Sequence, residues 1–274
     1  MRTTSLSQAI AAVALFVLPT IGYAQNSGEE SEWTITPRAG ITISTLTGDY
    51  AKGDAYDPRL GFGGGIEAEY HINKTLGLSI GAFYTKQGAK RNMESLTATK
   101  GLPADGTLYG GNQDIIHLVS AGEHFTHYNV SDYTSEYDYV EKIYNLKRAL
   151  DYINIPLMLN VHLPFNLPVG FTAKAGTQLD FLVYAKDKGK EQIYYRGTYS
   201  SSNYSSPSLK GSLKDFGISI PMGLAVSYKN IELDARYLWN VTDINDINIM
   251  IEGNDKVKAH TSTFLITLGY NFNL

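Results

Sequence analysis

From Thr263 to Leu274 the chain alternates. Phe264, Ile266, Leu268, Tyr270, Phe272 and Leu274 fall on one face, and Thr263, Thr267, Gly269, Asn271 and Asn273 on the other, with Leu265 the one apolar residue among them. A period of two is a strand with one oily and one small or polar face. The same period recurs upstream. Trp33, Ile35, Pro37, Ala39, Ile41 and Ile43 share a face, as do Leu60, Phe62, Gly64, Ile66, Ala68, Tyr70 and Ile72. Leu76, Leu78, Ile80, Ala82 and Tyr84 form a third stripe, and the odd positions from Ile153 to Leu163 a fourth. Odd positions from Phe171 to Val183, even positions from Phe216 to Tyr228, and odd positions from Ile231 to Val241 complete the set. With the terminal strand this makes eight.

The oily stripes carry no charge. The opposite faces hold Arg38, Glu67, Glu69, Lys174, Asp180, Asp215, Glu232, Asp234 and Arg236. A slip of one residue would turn these outward. Against lipid, a basic side chain at mid-depth costs about 2–4 kcal/mol and an acidic one less, so the register is strongly specified if the outer face meets lipid. The connections alternate in length: medium at 45–58, tight at 73–75, very long at about 89–147, short at 164–169, long at 186–212, tight at 229–230 and medium at 243–259. Outer-membrane barrels sort their short periplasmic turns from long extracellular loops in this way. These observations predict an all-β fold, a closed antiparallel up-and-down transmembrane β-barrel of eight strands. Both termini are expected in the periplasm, with the terminal strand paired to Trp33–Ser44. Pro37, Pro156 and Pro221 fall inside predicted strands, where a missing N–H donor predicts bulges or shortened strands.

The amino end agrees. Ala9 to Tyr23 is apolar, interrupted by Pro19, and short of the roughly 20 residues a spanning helix needs. Gly22-Tyr23-Ala24 reads as a cleavage site, so residues 1–24 are expected to be a signal peptide and 25–274 the barrel domain. Composition narrows the class further. Twenty tyrosines suit aromatic girdles. The net charge of -4, with no basic stripe, argues against a nucleic-acid partner, and with no cysteine there is neither a disulfide framework nor thiol chemistry.

At this point the chain resembles the PorT-like outer-membrane β-barrel family of Bacteroidetes-type bacteria. The resemblance rests on Arg38-Ala39-Gly40, Leu150 to Leu157, Asp215-Phe216-Gly217, Glu232 to Tyr237 and Leu268 to Phe272. It implies an eight-stranded outer-membrane barrel but no single activity; one namesake group of the family serves protein secretion. The chain departs from the usual pattern by ending in Asn273-Leu274 after Phe272.

Chemistry-bearing motifs are few. Asp215-Phe216-Gly217 lacks every other part of a kinase site and reads as a strand entry. Gly61 to Gly65 precedes no helix and is not a nucleotide loop. His117, Glu123, His124 and His127 lie in the longest connection, where polar residues are ordinary, and Asp243, Asp246, Glu252 and Asp255 match no calcium loop. His71, His162 and His260 sit near strand ends without a partner nucleophile. No cofactor, metal centre or catalytic set is expected. The inward charges form either a salt-bridged plug or the lining of a small pore, and the plug is favoured because eight strands leave little bore. A narrow pore or a rim hydrolase of lipid or peptide are the alternatives to a structural or interaction role. In that role the segment 89–147 is the candidate interaction loop, through Tyr128, Tyr133, Tyr137, Tyr139 and Tyr144, since tyrosine gives contact area at low entropic cost. Part of it is expected either to extend the third and fourth strands beyond the membrane as a projecting hairpin or to be a solvated loop. The expected partners are outer-membrane lipid, the barrel-assembly machinery reading the C-terminal strand, and an envelope or surface protein.

Overall fold

The computed structural model describes residues 32–48, 56–91, 93–100, 114–121, 128–165, 167–245, 250–251, 255–256 and 258–274. The segment 1–24, together with Glu123, His124, His127, Asp246 and Glu252, lies outside the described residues. The strands are β1 (Trp33–Gly48), β2 (Tyr56–His71), β3 (Leu76–Arg91), β4 (Met93–Lys100), β5 (Asp114–Ala121), β6 (Tyr139–Leu163) and β7 (Gly170–Tyr195). There follow β8 (Thr198–Ser205), β9 (Phe216–Tyr228), β10 (Ile231–Asn240), β11 (Met250–Ile251), β12 (Asp255–Lys256), β13 (Ala259–Tyr270) and β14 (Phe272–Asn273). Among the described residues the only helical elements are 3-10 turns at Val130–Asp132 and Lys210–Ser212.

Eight strands close a ring of antiparallel ladders. β1 pairs with β2, β2 with β3, β3 with β6, β6 with β7, β7 with β9, β9 with β10, β10 with β13, and β13 back with β1. The closing seam runs from Arg38 opposite Gly269 to Gly48 opposite Ala259, and β14 continues it with Ile35 opposite Phe272. At its end the Leu274 N–H donates to the Trp33 carbonyl at 2.9 Å. The eight predicted segments are these eight ring strands.

The pleat sorts the side chains. Thr34, Thr36, Arg38, Thr42 and Ser44 are buried along β1, while Trp33, Ile41 and Ile43 are exposed. Across the ring the exposed side chains form a belt that includes Leu60, Leu78, Leu159, Leu179, Leu224, Leu233 and Leu268, with Leu60 66% and Leu224 64% exposed. An apolar patch of this extent is foreign to a water-facing surface and ordinary against lipid. Tilted aromatic pairs border it. Trp33–Tyr70 and Tyr270–Phe272 stand at the end bearing the tight turns, and Phe62–Tyr84, Phe181–Phe216 and Tyr237–Phe264 at the other.

The three prolines produce no bulge. Register runs unbroken through each, and one flanking ladder opens instead. Pairing of β1 with β13 and β14 omits Thr36 and Pro37, that of β3 with β6 omits Ile155 and Pro156, and that of β7 with β9 omits Ile220 and Pro221. A proline lacks one donor, so one lost ladder contact satisfies it without an inserted residue. The register shifts lie elsewhere, between Pro58 and Gly63 on β2 and at Tyr144–Lys147 and Asp151–Tyr152 on β6. Asn145, at φ 54, occupies the first of the two β6 irregularities.

Among the described residues the connections at 89–147 and 186–212 are largely strand, and at 89–147 they extend the third and fourth predicted strands as a projecting hairpin. β6 and β7 stay paired beyond the belt as far as Tyr139 opposite Tyr195. β4 then adds to β6, β5 to β4, and β8 to β7. The β7–β8 hairpin turns at Arg196-Gly197, with φ 43 and 90, the mirror-image turn that suits strand twist. The barrel wall therefore continues into a projecting sheet at the end opposite the tight turns.

Inward glycines fix how closely the strands can pack around the bore. A Cβ at Gly65 would lie 2.1 Å from the Ala82 carbonyl oxygen, and one at Gly223 would lie 2.4 Å from that of Ala235. Gly65→Val or Gly223→Val is expected to cost about 1–3 kcal/mol or more. Each should reduce the compact, heat-sensitive band on unheated gels, whereas Ala39→Val on the lipid face should leave it intact.

Candidate functional site

Six ionic side chains meet in the barrel interior: Arg38 from β1, Glu67 from β2, Lys174 from β7, and Glu232, Asp234 and Arg236 from β10. Arg38 reaches Glu67 at 3.2 Å, Glu232 at 3.0 Å and Asp234 at 2.9 Å. Lys174 reaches the same three carboxylates at 3.2, 2.8 and 3.3 Å. Arg236 grips Glu67 at 2.6 Å and Asp234 at 2.7 Å. The formal charges cancel, three against three, and every member is at least nine-tenths buried.

Local sequence explains the convergence. Alternation on β10 puts Glu232, Asp234 and Arg236 on one face. Gly269 lies opposite both Arg38 and Glu232, and Gly223 opposite both Lys174 and Arg236. A side chain at Gly269 would press on Thr36 Cγ2 at 2.7 Å, and one at Gly223 on Arg236 Cγ at 2.9 Å. Small residues between the charged ones thus clear the path for long side chains. The Arg236 guanidinium also lies 5.7 Å from the centre of the Phe83 ring, an inward aromatic that the strand pattern alone did not single out.

The other inward charges occupy different levels. Asp180 is surrounded by neutral donors: Asn154 Nδ2 at 2.6 Å, Gln178 Nε2 at 2.7 Å, Asn240 Nδ2 at 3.3 Å and the Ser219 hydroxyl. Thr85 donates to Asn154 and receives from Gln87, which accepts in turn from Thr263. This network crosses the bore from β3 to β13. Beyond it, towards the projecting sheet, Leu46, Ala89, Leu150, Tyr152, Leu182, Ala185, Leu213, Ile244 and Ala259 pack into one apolar cluster. Leu213 and Ile244 come from connections held by Lys214 N–H to the Ile244 carbonyl and Ile244 N–H to the Ala259 carbonyl, both 2.8 Å. Glu69 stands at the tight-turn rim beside His71 and His162. Asp215, grouped with the interior charges by the strand pattern, is instead exposed and pairs with Lys210 at 3.4 Å. It sits just before β9 begins, where the inward–outward alternation has not yet started.

Tyr139 and Tyr144 lie on β6 in the projecting sheet, and Tyr128, Tyr133 and Tyr137 in the connection that precedes it. Tyr128, Tyr133 and Tyr137 pack around Leu96, Ala98, Val130 and Val140, a small core of that sheet's own. Tyr139 donates to Glu141 at 3.0 Å, and Lys142 lies 5.2 Å from the centre of the Tyr144 ring. All five are half-buried. Beside them Tyr128, Asn129, Lys142, Gln192, Tyr199 and Ser200 line a cleft of about 410 Å³. Tyr194 and Tyr199, which the sequence pattern did not single out, meet as a tilted pair with ring centres 4.9 Å apart and extend the aromatic surface. His117 on β5 contacts Thr97 at 2.8 Å, and Asp243 accepts from the Asn245 and Ala259 N–H groups at 3.1 and 3.0 Å.

The projecting sheet is tied to the barrel by Asp187. It accepts from Arg148 at 2.9 and 3.0 Å and from Arg91 at 2.7 Å. Burial alone would raise the Asp187 pKa. The hydrogen bonds and charge of Arg148 and then of Arg91 outweigh burial and hold the carboxyl below the usual aspartate range.

A closed eight-stranded ring with a lipid-facing belt defines this class of protein, the outer-membrane β-barrel. A family model for the outer membrane protein β-barrel domain matches residues 23–246, and the chain belongs to that family. The family is one of the bacterial outer membrane. Among solved structures the chain is similar to the attachment invasion locus protein Ail of Yersinia pestis, at 14% identity over 89% of this chain and 100% of that one, with a TM-score of 0.36. It is also similar to the outer membrane protein OprG of Pseudomonas aeruginosa, at 12% identity over 90% of this chain and 99% of that one, TM-score 0.38. Neisserial surface protein A aligns at 15% identity over 88% and 98%, TM-score 0.36. No curated protein sequence matches the chain significantly.

Two outcomes are expected. Glu67→Gln or Asp234→Asn leaves buried cations under-compensated and should lower the unfolding free energy in detergent by about 3–5 kcal/mol. Combining Asp234→Asn with Arg236→Met should cost less than the two single losses added together. Secondly, a carboxyl held low when folded contributes stability that is complete above its unfolded pKa of about 3.9 and is lost as pH falls through the lower folded value. Hydrogen-exchange protection factors along the β7–β8 ladder should hold from neutral pH to about 4 and drop below it, and Asp187→Asn should abolish that step.

Proposed function

We propose that this chain is a non-enzymatic outer-membrane barrel whose role is recognition at the cell surface, exercised by the projecting sheet. The orientation we propose sets the tight turns and both chain ends in the periplasm and the sheet outside, in keeping with short periplasmic turns and long outward connections. The observation that carries this reading is the continuation of β3, β6 and β7 beyond the lipid belt into a sheet with its own core, tyrosine-rich faces and cleft. Ordered strands present side chains at fixed spacing, so little entropy is lost when a partner binds. Tyr199, 60% exposed, and the half-buried tyrosines supply the amphipathic surface that protein contacts favour. The bore supports the same reading, since its ion cluster, polar network and apolar cap fill it at successive levels.

The partner in this proposal is an envelope or surface protein, which includes a component of a secretion complex of the kind the PorT-like resemblance suggests. Lipid contacts the belt, and the barrel-assembly machinery reads the terminal strand through Tyr270 and Phe272.

Site-specific photo-crosslinking in intact cells tests the proposal. A photoreactive phenylalanine analogue at Tyr199 or Ile115 should give a discrete protein adduct, and the same analogue at Leu268 on the lipid belt should give none. Absence of adducts from every exposed position of the sheet would refute recognition by this face.

A further inference from the structure

The tight-turn rim holds a constellation that the interior plug and the projecting sheet do not use. β2 ends with Glu69 and His71, and β6 ends beside His162. Strand β3 lies between them, and its residue at that level is Gly77, opposite both His71 and Asn160. A Cβ on Gly77 would stand 2.0 Å from Glu69 Oε1. The missing side chain lets the Glu69 carboxylate cross β3, and its Oε1 lies 2.7 Å from His162 Nε2 and 3.9 Å from His71 Nδ1. One nitrogen of each imidazole and one carboxylate oxygen all lie within 4.8 Å of one another.

The far side of each imidazole is anchored. His71 Nε2 meets the Thr34 hydroxyl at 2.8 Å, and His162 Nδ1 meets the Thr172 hydroxyl at 3.1 Å. Thr34 gives its own proton to Asn273 Oδ1 at 3.1 Å, so it receives one from His71 Nε2. His71 Nδ1 then faces the carboxylate at 3.9 Å. The two hydroxyls hold each ring by its distal nitrogen and aim the proximal one at Glu69, as outer partners orient metal-binding imidazoles. The rim opens onto a cavity of about 800 Å³ lined by Glu32, Thr34, Asn73, Lys74 and Asn273, which gives an ion its entry and room for water.

From this geometry we infer that Glu69, His71 and His162 form a zinc site at the tight-turn mouth of the barrel. Two imidazoles and one carboxylate suit a borderline divalent ion, with water in the fourth position. Donors about 2.0–2.2 Å from a tetrahedral ion stand roughly 3.4 Å apart. The Glu69–His162 contact therefore opens by a fraction of an ångström, and on zinc binding the Nε2 proton of His162 leaves to solvent while Nδ1 takes one up and donates it to Thr172. The bound ion ties β2 to β6 across β3.

Isothermal titration of ZnCl2 into tag-free, chelator-treated, refolded full-length protein in detergent tests this. One equivalent should bind saturably. His71→Asn, His162→Gln and Glu69→Gln should each abolish binding, and Thr34→Val should weaken it by about 10–100-fold. His260→Gln, at the far end of β13, should change nothing. Heat-dependent gel mobility reports whether each variant folds. If a ligand variant fails to fold, X-ray absorption at the zinc edge of the wild-type complex decides instead, and two imidazoles in the scattering shell support the site. The inference is overturned by a wild-type protein that takes up no stoichiometric zinc, by folded His71→Asn or His162→Gln variants that bind as the wild type does, or by a scattering shell without imidazole.

Discussion

Three cations and three carboxylates must share a bore that eight strands make barely wide enough for side chains, and the rest of the barrel is arranged around that requirement. An unpaired charge at this depth would cost several kcal/mol, so each of Arg38, Lys174 and Arg236 touches at least two of Glu67, Glu232 and Asp234. The contacts need long side chains to cross from β1, β2, β7 and β10. They also need Gly65, Gly223 and Gly269 to leave space beside them. Register follows from the same constraint, since a one-residue slip would put these charges into lipid and Phe264, Ile266 and Leu268 into the bore.

Above the ion cluster the interior changes character in steps. A carboxylate held by four neutral donors follows, then an apolar cap at which the β6 register shift and two inward-folded connections coincide. Past the cap part of the wall continues as strand. β6 and β7 keep pairing, recruit β4, β5 and β8, and bury Leu96, Ala98, Val130 and Val140 in a second core. The filled bore and the projecting sheet are thus parts of one continuous sheet, which is why the function we propose lies at the projecting surface.

Much of the barrel was legible in the sequence. The alternation from Trp33 to Leu274 placed the ring strands, and the freedom of the oily faces from charge oriented them, because lipid penalises error heavily on one face only. The extension of the third and fourth strands as a projecting hairpin was one of two readings of 89–147, but the added strands β4, β5 and β8 were hidden for the opposite reason. Residues 93–100 and 198–205 lie outside lipid, so no solvent contrast forces a two-residue period on segments such as Thr198–Ser205, which is polar on both faces. Asp215 was grouped with the interior because it precedes Phe216 in phase, yet the strand begins one residue later. The prolines were read as sites of bulges because the one-dimensional pattern cannot show which flanking ladder gives way. The rim constellation escaped notice because Glu69 and His162 are brought together only through the glycine at position 77 on the intervening strand.

Planar-bilayer recording of the purified wild-type barrel tests the sealed bore most directly. The interlocked charges of Arg38, Glu67, Lys174, Glu232, Asp234 and Arg236, closed over by the Leu150–Tyr152–Leu182 cluster, predict a membrane that stays silent across the accessible voltage range. Stable, uniform unitary channels from the pure protein would contradict the account.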